Sequence, residues 1–78
     1  GPHQIPLLMP EYLKHAVILG RIDEIEYAVS KGAEPHYLTF RDATTAGHFD
    51  VLQWLHNRFP HERYPTVVTF ALRAGRMD

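Results

Sequence analysis

The sequence predicts an all-α helical repeat, and three observations carry that prediction. A frame recurs three times, as Ala16-x3-Gly20-Arg21-Ile22-Asp23, Ala43-x3-Gly47-His48-Phe49-Asp50 and Ala71-x3-Gly75-Arg76-Met77-Asp78, with its glycines 27 and 28 residues apart. An apolar residue stands three before each alanine: Leu13, Phe40 and Val68. Apolar residues on both sides of the first two glycines follow helical spacing. A fixed period of this kind marks units that bury their apolar faces by stacking on one another, as in a solenoid.

Residues 1–9 hold Pro2 and Pro6, a density that argues against a continuous helix. They are expected to form an extended N-terminal arm whose Leu7, Leu8 and Met9 cover exposed core. Gly1-Pro2 has the form of a scar left by a cleaved tag, so the chain is expected to be a piece of a longer protein. The repeat domain then spans 10–78, with repeat 1 at 10–37, repeat 2 at 38–64 and an incomplete repeat 3 at 65–78. Pro10 suits a first helical turn, where its missing N–H costs nothing. Leu13, Ala16 and Val17 share one face, and Gly20 ends the helix because glycine accepts the left-handed conformation.

A second helix carries Ile22, Ile25, Ala28 and Val29, with Asp23 and Glu24 at the positive end of its dipole, and Gly32 closes it. Repeat 2 follows the same plan, with a helix over 38–46 and another over 49–57. Phe49, Leu52 and Leu55 match Ile22, Ile25 and Ala28, while Trp54 matches Tyr27, which predicts large rings adjacent in the stack. Glu24 and Glu26 stand where repeat 2 has Val51 and Gln53, so the first unit reads as a solvated end cap. Pro65 opens a last helix with Val67, Val68, Ala71 and Leu72. Gly75 is expected to end it.

Composition narrows the function. The chain has 78 residues, 45% of them hydrophobic and 22% charged, with a net charge of -1. No basic excess points to nucleic acid, and no apolar run approaches the ~18 residues of a membrane span. The absence of cysteine removes disulfides, thiolate zinc sites and cysteine nucleophiles. It suits a reducing, intracellular compartment, cytoplasmic or nuclear.

The frames resemble ankyrin repeats. Gly47-His48-Phe49-Asp50-Val51-Leu52-Gln53-Trp54-Leu55-His56 is similar to that family's Gly-His-Leu-Glu-Val-Val-x-x-Leu-Leu stretch, and Lys31-Gly32-Ala33-Glu34-Pro35 to its Lys-Gly-Ala-Asp-Val ending. The usual Thr-Pro-Leu-His opening is absent, and the period is shorter than the family's 33. The missing residues fall between Gly32 and Ala43, where ankyrin repeats place a projecting β-turn. The chain thus resembles the short, Trp-Leu-His-containing ankyrin-like repeats of oomycetes, amoebae and giant viruses. The resemblance implies a short helix–turn–helix solenoid of about two and a half repeats, without β-hairpin fingers. It also implies a protein–protein interaction module that binds through its first-helix surface. The positions five, two and one before each glycine would line that surface: His15, Ile18 and Leu19; Asp42, Thr45 and Ala46; Phe70, Arg73 and Ala74. Exposed Ile18, Leu19 and Phe70 would make an apolar patch that small domains rarely leave unused. The resemblance further implies that His48 hydrogen-bonds across the inter-helix turn.

Other chemistry finds little support. His61-Glu62-Arg63-Tyr64-Pro65 lacks the second histidine of a zincin helix, and the lone serine, Ser30, lies outside any nucleophile context. No enzyme activity, metal or other cofactor is expected. Two alternatives to partner binding stand. One is a homodimer formed through residues 65–78, where Val67, Val68 or Leu72 would otherwise be uncovered. The other is a metal site built from His36, His56 and His61 at the ends of adjacent units.

Overall fold

The computed structural model describes the backbone of residues 5–76 and the side chains of residues 9–74. Within that span the chain is all-helical: α1 (Ile5–Leu19), α2 (Ile22–Ser30), α3 (Tyr37–Thr45), α4 (Phe49–Arg58) and α5 (Thr66–Arg76). Helix α1 packs on α2 and α3, α3 packs on α4 and α5, and α4 packs on α5. Helices α1, α3 and α5 therefore form one row, with α2 and α4 behind it.

The recurring alanine and glycine act together at the helix ends. Gly20 (φ +74°) and Gly47 (φ +77°) adopt the left-handed conformation. That turn lets Arg21 N–H reach the Ala16 carbonyl at 2.9 Å and His48 N–H reach the Ala43 carbonyl at 3.0 Å. Gly20 and Gly47 N–H groups meanwhile reach Val17 and Thr44 at 3.2 and 3.0 Å. These paired bonds satisfy carbonyls that a helix C-terminus would leave orphaned. The alanines are small because they also lie in the core, at 1% and 0% exposure.

Leu13, Phe40 and Val68 are buried in successive helices of the front row, and Ile25, Ala28, Leu52 and Leu55 are buried in α2 and α4. Each large apolar side chain fully buried this way contributes roughly 1.5–3 kcal/mol relative to exposure. Val51 is fully buried while Glu24, its counterpart, is half-exposed, as the end-cap reading requires.

The connection from α2 to α3 projects nothing. Its Ala33 and Pro35 are buried, and His36 caps α3 instead. The Leu38 N–H donates to His36 Nδ1 at 3.2 Å, and the His36 N–H donates to Thr39 Oγ1 at 3.1 Å. His36→Ala is expected to lower stability by about 1 kcal/mol, the usual worth of an N-cap, measured by urea unfolding. Thr39→Val should cost a similar amount if the two bonds act as a pair.

Several expectations need correction. An extended arm over 1–9 does not hold for Ile5–Met9, which are the first residues of α1, and Pro10 lies inside that helix rather than opening it. Pro6 sits in the first turn, where the missing N–H is harmless. Pro10 gives up one bond, to the Pro6 carbonyl, a cost of about 3 kcal/mol. Burial of Met9, at 7% exposure, offsets much of it at ~1.5–3 kcal/mol. The expected roles of Leu7 and Leu8 lie outside the described side chains. Helix α5 runs through Gly75 to Arg76 instead of ending there. Glycine permits a turn without forcing one.

The rings of Tyr27 and Trp54 do not pair. Tyr27 meets Tyr12 instead (centroids 5.7 Å apart, planes at 57°), while Trp54 packs half-buried against the core. Phe49, expected inward, is 50% exposed, because it opens α4 at the edge of the stack where no helix covers it.

Candidate functional site

The shared period places the predicted partner-binding residues in register along α1, α3 and α5. Three rows result: His15, Asp42 and Phe70; Ile18, Thr45 and Arg73; Leu19, Ala46 and Ala74. All are exposed except Asp42, which is half-buried. Ile18, Leu19 and Phe70 show 41%, 56% and 62% of their surface to solvent. Their sum is not one patch. Helix α3 lies between α1 and α5 and presents Asp42, Thr45 and Ala46. With packed helices 8–10 Å apart, the apolar islands stand about 16–20 Å from each other.

The end of α1 is fixed by a contact from the next unit. His48 Nε2 lies 2.9 Å from the Ile18 carbonyl oxygen, across 30 residues. A carbonyl only accepts, so Nε2 carries the hydrogen. The ring reaches back to the preceding unit rather than across its own turn. This contact ties the start of α4 to the end of α1, and the next residue, Phe49, is exposed. The repeat frame pairs Phe49 with half-buried Ile22, so nothing in the period distinguishes it.

A groove of about 300 Å³ lies between α1 and α3, and of the predicted partner-binding residues Asp42 alone lines it. Glu11, Glu34 and Asp42 line it together with Lys14 and Arg41. The mixture leaves no dominant sign. At the outer edge of α1, the Tyr12 phenol is pushed above its usual pKa, first by loss of solvent and then by the nearby Glu24 carboxylate. Lys31 Nζ sits 5.6 Å from the centre of the Tyr27 ring.

The histidines proposed for a metal are not brought together. His36 is engaged in capping α3, and His56 faces Tyr64, with Nδ1 and the phenol oxygen 3.4 Å apart. Among the described residues no group of three or more histidine, aspartate or glutamate side chains is arranged to hold an ion. Of the three residues named for pairing through 65–78, Val68 and Leu72, at 0% and 8% exposure, are buried under α3 and α4, and Val67, at 51%, faces solvent. Among the described residues no helix is long and apolar enough to cross a membrane. The chain matches no protein-family model, no curated protein and no solved structure.

Proposed function

We propose that this chain is a short ankyrin-like repeat module that recognises a protein partner, without catalysis, through the outer face of α1, α3 and α5. The observation that supports it most is the exposure of Ile18, Leu19 and Phe70 on a row that α2 and α4 leave uncovered. The two apolar islands would act as anchors, since a few large side chains supply most of a typical binding energy. Asp42, Thr45, His15 and Arg73 would set polarity and register between them. The short α2–α3 connection, in which Ala33 and Pro35 are buried, supports binding by the helix surface rather than by projecting fingers. An intracellular location fits the lack of cysteine.

The test compares the wild-type chain with a Leu19→Glu, Phe70→Glu double variant and with a Glu26→Lys control on α2. All three positions are exposed, so circular dichroism should show the same helix content. Quantitative affinity capture from cell extract should then show a protein retained by wild type and control but reduced about 30-fold or more by the double variant, the scale of a lost hot spot of ~2 kcal/mol. Identical captured sets for all three would overturn the reading.

A further inference from the structure

A second, smaller pocket lies between α4 and α5. It holds about 140 Å³ and is lined by Gln53, His56, Tyr64, Thr69, Leu72 and Arg73. Its chemistry differs from that of the α1–α3 groove, because no carboxylate contributes to its lining. Every polar side chain there is able to donate: a guanidinium, an amide, two hydroxyls and an imidazole. Arg73 is exposed and has no carboxylate partner among the described residues. Gln53 uses one amide hydrogen on Asn57 Oδ1 at 3.1 Å, which leaves the other free.

The His56–Tyr64 contact at 3.4 Å fits the same purpose. Two arrangements are open to it. With Nδ1 accepting, the phenol hydrogen is spent on the ring. With Nδ1–H donating to the phenol oxygen, that hydrogen is free to face the pocket. An anion in the pocket selects the second arrangement, because only that one turns a donor toward it. The aromatic contact between the two rings (6.0 Å, 71°) holds them in place for it.

We propose that this pocket is an oxyanion site that takes a phosphoryl group, anchored by Arg73 and completed by Thr69, Tyr64 and Gln53. Donor number favours this ligand, since three terminal oxygens use a donor set that a carboxylate's two oxygens would leave partly unfilled. Charge-assisted bonds to Arg73 are roughly twice as strong as neutral ones, and the buried Leu72 beside them limits competing water. The site borders the partner-binding face at Arg73 but does not rest on that reading.

The experiment is a titration of the 15N-labelled chain at constant ionic strength, followed by two-dimensional NMR. Inorganic phosphate, phosphoserine, serine and acetate are the separate probes. Saturable shifts at Gln53, Thr69 and Arg73 are expected with phosphate and phosphoserine but not with serine or acetate. Equal affinity for the first two assigns free phosphate as the natural form, whereas tighter phosphoserine binding assigns a phosphorylated chain. Arg73→Gln should weaken binding roughly tenfold or more, and Thr69→Val by a smaller factor, with melting temperatures unchanged. Shifts that stay linear in concentration, that persist in Arg73→Gln, or that acetate reproduces would overturn the proposal. Failure of the partner-binding reading would show instead at Leu19 and Phe70, which lie outside this pocket.

Discussion

Phe40→Ala is expected to lower unfolding free energy by about 3–5 kcal/mol, the range for truncating a buried ring. Phe40 is fully buried at the centre of α3, the helix that packs on α1, α4 and α5. The Tyr64 ring lies over it, with centroids 5.0 Å apart and planes tilted by 43°. Tyr64 belongs to the connection between α4 and α5, so that loop would lose its seat together with the core. A small domain has only about 5–15 kcal/mol in hand, so a loss of this size removes roughly a fifth or more of it. Urea unfolding reads the effect directly. Phe70→Ala, on the same row of helices but 62% exposed, should change stability by less than about 0.5 kcal/mol. A Phe40→Ala loss below about 1.5 kcal/mol would mean that α3 is not the centre of the core.

Gly20→Ala should cost more than Gly47→Ala, although both glycines have nearly the same φ. The left-handed backbone alone charges an alanine about 1–2 kcal/mol, and Gly47 has nothing within 4 Å of an added Cβ. At Gly20 the added carbon would lie 2.7 Å from His48 Nδ1. The imidazole would have to move, and its bond to the Ile18 carbonyl would go with it, a further ~0.5–1.5 kcal/mol. The expected totals are roughly 2–3 kcal/mol for Gly20→Ala and about 1–2 kcal/mol for Gly47→Ala. In a His48→Ala background the two glycine substitutions should become equal, because the clash disappears and only the backbone term remains. A double-mutant cycle measures that coupling. Equal costs with His48 in place would show that the ring does not hold the two units together.

Much of this architecture is legible in the chain because its causes are local. The Ala-x3-Gly frame announces a helix end that closes on itself, and it does so at Gly20 and Gly47. The same frame does not end the helix at Gly75, because glycine permits a turn without forcing one. Leu13, Phe40 and Val68 are buried as their spacing requires, whereas Phe49 has the right period and the wrong neighbours. Of the candidate site, all nine predicted positions lie on one row of helices, yet the division of their apolar members into two islands depends on α3 standing between α1 and α5. The donor pocket at Gln53, His56, Tyr64, Thr69 and Arg73 left no mark in the sequence, because its members come from two helices and the loop between them.

The sequence by itself determined the helical class, the period of the units, the left-handed turns and the residues of the core ladder. Each depends on contacts within about one turn or on a repeated pattern of polarity, which the order of residues states directly. Tertiary structure alone decided the contacts between distant residues: His48 against Ile18, Tyr12 against Tyr27 and Tyr64 over Phe40, together with the inclusion of Ile5–Met9 in α1. Such pairs are separated by 15 to 30 residues, or set a local penalty such as that of Pro10 against burial elsewhere. Their outcome follows from which surfaces remain to be covered once the helices have packed, a quantity that no local stretch of sequence contains.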